Sequence, residues 1–398
     1  MDPACVISPA DWASFRRCRR QWDFAARPRR NLEPLATGPD LDRAIRDTLA
    51  VYYFPGMWDW DRSITQPLVV QGLERALAAQ RDRCPGVSPG SWAELLAAGR
   101  RLLGRYFSWA PGMDRFSPVL VEPEYDVLVP DPAEPSSGLV TAAGAAVRYR
   151  GRLDLLAVDQ YDAYWIVRHR LVTGGWRPAA EVADEAEAVA ACWAWEQFYL
   201  GMTITGTVSN ELRLDAVPPQ QAGPGGPPGW RTRPWPRLAG LAGRLGRRPA
   251  GRPVRQHEPS GGGRSVPQHR RMYARARAPA AADRVTVQAG PGFRRIWVRR
   301  SRAEIDAAAR SLAADAASML APGLAVPPSP SDENCPPCPF RGPCQAMLAG
   351  HDPGPLLRTA YRRRPPDSPE EGRLGGGAWG MGRGAAPPRF RGPPGPGR

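Results

Sequence analysis

Val147-Arg-Tyr-Arg-Gly-Arg-Leu-Asp-Leu-Leu-Ala-Val158 reads as a strand region with a Gly151-Arg152-Leu153-Asp154 step at its centre. Ala163-Tyr-Trp-Ile-Val-Arg-His-Arg-Leu-Val172 follows as another strand and closes on a Thr173-Gly174 turn. Runs rich in β-branched and aromatic residues, bounded by turn formers, predict strands. Residues 118–129 alternate in the same way upstream, and residues 204–214 and 292–298 predict further strands downstream. Between and around them, apolar residues recur at helical spacing. This predicts helices over 9–25, 41–53, 64–83, 91–106, 181–200 and 302–319. Ser301 with Glu304 three residues on predicts a capping box at the last of these.

Composition bounds how much of the chain folds. Of 398 residues, 47 are Pro and 42 are Gly, and they cluster. Residues 216–268 and about 352–398 are dominated by Pro, Gly and Arg, a composition expected of disordered segments. About 300 residues remain, enough for one α/β domain with a helical extension. The formal net charge is +15, and all 54 basic residues are arginine. A codon bias against A-rich lysine codons explains part of that excess. Positive charge attracts polyanions whatever its origin, and guanidinium groups bind phosphate bidentately, so nucleic acid is the first partner to expect. No signal-peptide pattern and no apolar run of 18 residues is visible, which predicts a cytoplasmic chain without a membrane span.

Two short stretches carry cysteines at telling places. Cys18 lies in Ser8-Pro-Ala-Asp-Trp-Ala-Ser-Phe-Arg-Arg-Cys18-Arg-Arg-Gln-Trp-Asp-Phe24. Some three hundred residues on stands Cys335-Pro-Pro-Cys338-Pro-Phe-Arg-Gly-Pro-Cys344, a C-x2-C-x5-C loop broken by prolines. Four thiolates suit a zinc ion or a [4Fe–4S] cluster, and one shared site would tie the two segments together. Disulfides or free thiols are the alternative, and the odd total of 7 cysteines disfavours a fully paired framework. Cys5, Cys84 and Cys192 show no ligand spacing and are expected to be packed thiols.

The order helices, strand, strand with G-x-x-D, strand with a terminal turn, helix, strand, Cys triplet resembles the PD-(D/E)XK nuclease superfamily. It is most similar to the RecB-like iron–sulfur branch, the AddB-type and CRISPR-associated RecB-like exonucleases. Ser8 to Phe24 looks like that branch's first cluster segment, Gly151-Arg-Leu-Asp154 like its second motif, and 335–344 like its cluster loop. The resemblance implies a restriction-endonuclease-like α/β core, a mixed central sheet flanked by helices, with an N-terminal helical region and a four-cysteine staple. It implies this organisation: 1–35 for the first cluster helix, 36–117 helical, 118–215 the nuclease-like core, 216–268 a disordered insertion, 269–347 the last strands, helix and cluster loop, and 348–398 a disordered basic tail. Cys18, Cys335, Cys338 and Cys344 would hold a [4Fe–4S] cluster, with Zn2+ as the alternative.

The resemblance also implies a Mg2+ or Mn2+ site on two carboxylates, with a lysine two residues after the second. Asp154 matches the first carboxylate. The second aligns with Arg168 and the lysine with Arg170. The histidine expected in a preceding helix is replaced within Asp42-Arg-Ala-Ile-Arg46, and a Q-x-x-x-Y motif is absent from 188–196. An Asp154–Arg168 ion pair in place of a metal is therefore expected, with Arg152, Arg168 and Arg170 gripping phosphate instead of cleaving it. Trp165, Trp176 and Trp297 are candidates for stacking on bases, although strand aromatics usually pack in a core. Migrated carboxylates at Glu122, Glu124, Glu187 or in 181–185 would rescue catalysis, giving a Mg2+- or Mn2+-dependent exonuclease. The third alternative is a scaffold whose arginines bind an acidic protein partner. DNA, or a protein partner in DNA processing, is the expected ligand, with no membrane.

Overall fold

The computed structural model describes residues 5–35, 38–214, 284–332 and 334–364. In chain order these form β1 (Cys5–Ile7), α1 (Pro9–Arg17), α2 (Arg19–Ala25), β2 (Leu32–Pro34), α3 (Leu41–Tyr52), α4 (Arg62–Ala78) and α5 (Pro89–Met113). Then come β3 (Phe116–Val121), β4 (Glu124–Leu128), β5 (Val147–Arg152), β6 (Leu155–Asp159), β7 (Tyr164–Val172), α6 (Ala179–Ala183), α7 (Ala186–Phe198) and β8 (Ile204–Arg213). The last elements are β9 (Val285–Gly290), β10 (Phe293–Arg299), α8 (Arg302–Leu320), α9 (Arg341–Leu348), α10 (Gly354–Ala360) and β11 (Tyr361–Arg363).

The architecture is mixed α/β. Six strands form one mixed sheet in the order β3-β6-β7-β8-β10-β9. Only β7 and β8 pair parallel in it, joined through α6 and α7. A smaller sheet, β1-β5-β4, continues from it. The two sheets share one long strand pair that bends, β3–β4 against β5–β6. Glu122 sits at φ +51 and Pro123 brings no N–H, so the strand expected over 118–129 breaks into β3 and β4. Opposite them the run 147–158 breaks into β5 and β6 at Leu153 and Asp154. Backbone bonds Glu122 N–H to Asp154 O (3.0 Å) and Leu153 N–H to Pro123 O (3.0 Å) carry the pair through the bend. Gly151 is needed there, because a Cβ would run into the Tyr125 side chain and stand 2.9 Å from Pro9.

Alternation along β7 sorts its two faces. Trp165 and Val167 join the core under α3, α4 and α5, with Leu49, Leu73 and Leu102. Ile166 joins the other core, where α1, α7 and α8 bring Trp12, Trp193, Trp195 and Leu312. Trp165 is 3% exposed, meets Trp297 edge-on at 4.9 Å and donates to Asp159. Trp176 has Arg213 and Arg294 over its ring. The expected base-stacking aromatics are thus engaged inside the protein.

Three other expectations change. The helix over 9–25 is two helices, because Cys18 is extended (φ −159, ψ 108) and both ends α1 and begins α2. The helix over 181–200 breaks before α7, with Glu185 as the non-helical N-cap. The tail expected to be disordered from 348 holds α10 and β11 up to Arg363, and β11 pairs antiparallel with β2. Tyr361 anchors it by stacking on Phe340 at 5.2 Å and donating to Pro339 O. The insertion expected at 216–268 and residues 365–398 lie outside the described residues. Among the described residues no helix is long and apolar enough to cross a membrane.

A charged network is buried on the α3–α5 side of the sheet. Arg295 is fully buried and pairs with Asp114 at 2.7 Å. Its Nη2 also donates to the Tyr53 hydroxyl (2.9 Å), and its Nε to Asn210 Oδ1 (3.1 Å). Removing one partner of such a pair leaves an uncompensated charge. Asp114→Ala is expected to cost about 3–5 kcal/mol, whereas Asp114→Leu with Arg295→Met should recover much of it. Denaturant unfolding of both variants checks this. Equal losses in the two would show that the network is needed as such.

Candidate functional site

The bend makes the site. Pairing of β6 with β7 ends at Leu155 opposite Val167, since β5 turns away into the smaller sheet. The N–H groups of His169 and Leu171 then lose the strand neighbour. Asp154 Oδ2 accepts from His169 N–H at 2.7 Å, and Asp42 Oδ1 on α3 accepts from Leu171 N–H at 2.6 Å. The opening is a pocket of about 290 Å³. Asp42, Arg46, Arg152, Asp154, Arg168, Arg170 and Glu187 are among its lining residues. Most residues singled out in the sequence therefore meet in one place.

The expected Asp154–Arg168 pair is not the one formed. Arg168 and Arg170 point to α7, where Glu185 Oε2 takes Arg168 at 2.9 Å and Arg170 at 2.7 Å. Its other oxygen takes Arg177 at 2.7 Å. Burial acts to raise the Glu185 pKa, but the three guanidinium groups outweigh it and hold the carboxyl below its usual range. The Arg168 charge, then burial, pushes the Arg170 pKa down. Glu185 thus gathers three cations, with Glu181 also on Arg177, while Asp42, Asp154 and Glu187 line the same pocket.

The candidate migrated carboxylates separate. Glu187 lines the pocket from the first turn of α7. Glu124 is exposed and does not line it. Glu122 pairs with Arg152 at 3.1 Å, and burial raises its pKa to about 7 against the weaker pull of Arg152. Asp47 on α3, which the sequence reading did not single out, is raised by burial to about 6. Of Glu181 and Asp184, the first pairs with Arg177 and the second with Arg284. The i, i+4 pairs Asp42/Arg46 and Arg43/Asp47 were the visible signal for the α3 contribution. Burial opposes the Arg46 charge, and Asp154 and Asp42 more than restore it.

His169 stands between the two arginines but faces the opposite side. It stacks on Tyr53 at 5.4 Å, and burial lowers its pKa to about 4. Arginine can only donate, so Asn210 Oδ1 faces Arg295 and its amide nitrogen faces His169 Nδ1 at 3.0 Å. The neutral ring then carries its proton on Nε2.

The four expected ligand cysteines also meet. Cys18, Cys335, Cys338 and Cys344 all line one cavity of about 170 Å³. Cys18 reaches it from the break between α1 and α2, and its Sγ lies 3.5 Å from Ser329 N. Arg20 ties α2 to the loop through Val326 O at 2.8 Å. Burial raises the Cys338 and Cys344 thiols, and neighbouring thiols add to it, while Arg17 acts against the rise at Cys338 and Arg20 at Cys344. Among the described residues no group of three or more His, Cys, Asp or Glu is placed to hold a metal ion. The thiols surround a space instead of closing on a point. Cys84 and Cys192 are buried elsewhere, and none of the seven cysteines is in a disulfide among the described residues. No family model matches this chain, and the search of curated proteins found no match either.

Two outcomes follow from this geometry. Asp154→Ala orphans the His169 N–H and should cost about 1–3 kcal/mol, whereas Asp154→Asn keeps an acceptor oxygen and should cost less. Equal loss in both would overturn the capping role. Glu122 has a folded-state pKa raised above 4.5 to about 7. Its contribution to stability is thus full at low pH and is lost as pH rises through about 7. The melting temperature of Glu122→Gln relative to wild type should rise between pH 5 and pH 8. A difference that stays flat with pH would refute the raised value.

Proposed function

We propose that this chain binds nucleic acid on a RecB-like PD-(D/E)XK scaffold that no longer cleaves, braced by a [4Fe–4S] cluster on Cys18, Cys335, Cys338 and Cys344. The observation that carries the reading is Glu185 clasping Arg168 and Arg170, at the positions where the resemblance calls for a carboxylate and a lysine. A cation held beside Asp154 opposes a divalent metal there, since hard ions need oxygen ligands. Support also comes from the order β3, β5–β6, β7, α7, β8, and from Asp154 abutting β7 beside residues 168 and 170. Arg46, Arg152, Arg168 and Arg170 in one pocket supply donors suited to phosphate oxygens.

The cysteine site fits the cluster in its donor set, four thiols brought together from segments some 300 residues apart. The cavity is several times the roughly 10–15 Å³ that one water-sized sphere occupies, which favours a multi-atom centre over one zinc ion. When bound, the cluster supplies four metal–thiolate bonds that cross-link α1–α2 to the loop before α9. The protein's part is to present the thiols; burial raises Cys338 and Cys344, and Arg17 and Arg20 act against that rise.

The test is protein purified without oxygen, assayed for iron and sulfide, then mixed with labelled single- and double-stranded DNA plus Mg2+ or Mn2+. Brown protein that retards DNA without cutting it, less so as salt rises, is the expected result. Cutting that Asp154→Asn abolishes would replace this reading with a metal-dependent exonuclease using Glu187 or Glu122. DNA left unbound at low salt would favour an acidic protein partner. Cys18→Ala and Cys338→Ala are expected to give colourless, insoluble protein, and brown soluble variants would sink the ligand set.

A further inference from the structure

We infer that the two-stranded ribbon β2–β11 is a second phosphate-backbone contact surface, built by arginines outside the pocket. This rests on the nucleic-acid reading above. The ribbon pairs Leu32–Pro34 with Tyr361–Arg363, and Asn31 closes its end by exchanging bonds with Arg364. Arg29 and Arg30 precede the first strand, and Arg362, Arg363 and Arg364 run along and just past the second.

Their guanidinium groups are held in place and still reach solvent. Asp23, only 4% exposed in its side chain, takes Arg29 at 2.7 Å and Arg30 at 2.9 Å. The side chains of those arginines remain 36% and 46% exposed. Glu33 takes Arg362 at 2.7 Å and Arg364 at 3.6 Å, and Arg363 is exposed. Arg29 and Arg30 also lie over the rings of Trp22 and Phe24. Four guanidinium groups therefore share two carboxylates, with Arg363 exposed beside them, and each offers five N–H donors, more than those carboxylates accept. Stacking and ion pairing have already removed much of the rotamer freedom that a surface arginine would lose on binding.

Charge favours a phosphate chain, which carries a negative charge on every unit. Arg362 and Arg364 share a strand face, so their Cα atoms lie about 6.8 Å apart, twice the roughly 3.4 Å per phosphate along one strand of a duplex. The row is rigid because β11 is fixed at its start by the Phe24–Phe340–Tyr361 stack, with ring centres 5.3 and 5.2 Å apart. Contacts of this kind position nucleic acid without reading its sequence.

The test uses the full chain and a labelled 20-nucleotide single strand and its duplex, with binding followed by anisotropy across a salt series. Replacing Arg362, Arg363 and Arg364 by alanine should weaken binding alike for unrelated sequences. It should also lower the slope of log affinity against log salt by about 2 to 3. The triple lysine variant keeps the charge and should retain the wild-type slope, which separates lost contacts from a damaged fold. An alanine variant with wild-type affinity and slope overturns the proposal and leaves the pocket reading standing. A wild-type protein that binds neither probe overturns both. Loss of binding to poly-glutamate with unchanged DNA binding would assign the ribbon to an acidic protein and overturn it too.

Discussion

Everything near the pocket depends on one bend in a strand pair. Had β5 and β6 run on as one straight strand, they would have satisfied the N–H groups of His169 and Leu171 and sealed the sheet. The left-handed backbone at Glu122 and the missing donor of Pro123 prevent this. The half of the pair that leaves the sheet becomes the neighbour of β1 and the support for α1. The half that stays anchors β7. The two orphaned donors then need acceptors, because unpaired buried backbone groups are costly. Asp154 and Asp42 are those acceptors, so the position of the carboxylates is a structural necessity before it is a chemical opportunity.

Charge is arranged by a recurring device. The chain has 54 arginines and 39 acidic residues, so carboxylates are scarce. Several carboxylates accordingly serve more than one guanidinium. Asp23 holds Arg29 and Arg30, Asp126 holds Arg148 and Arg150, Glu33 holds Arg362 and Arg364, and Glu185 holds three. Such nodes order arginines without neutralising them. The buried pairs Arg295–Asp114 and Arg294–Glu211 are instead one-to-one matches, in places where surplus charge has no solvent to face.

Much of this was legible in the sequence, and the omissions have physical causes. Strand and helix types followed from hydrophobic period, because most elements have one face in a core. The breaks did not, since Cys18 does not announce a break by type and the alternation over 118–129 runs across Pro123, the residue that does. Asp154, Arg168 and Arg170 were recognised from local motifs, but their partners come from elsewhere in the chain. Glu185 stood in an acidic group whose simplest reading was favourable charge at a helix start. Its clasp needs the α6–α7 break, which one-dimensional periodicity smooths over. Residues 354–363 read as tail because they open into a stretch dominated by Pro, Gly and Arg. They are ordered by one tyrosine on Phe340 and by pairing with a strand more than 320 positions away.

That long reach has a consequence for the chain as it leaves the ribosome. Trp12 is fully buried, and its Nε1 donates to Asp315 on α8. Phe24 is equally buried and stacks on Phe340. Synthesis at roughly 5–20 residues per second puts about 15–60 s between the appearance of these aromatics and of their cover. Phe15 and Trp22 meet edge-on, and Trp12 gains Tyr149 once β5 is made, so the rings that wait longest are those facing α8 and the 335–344 loop. These two helices thus complete their core only late in synthesis.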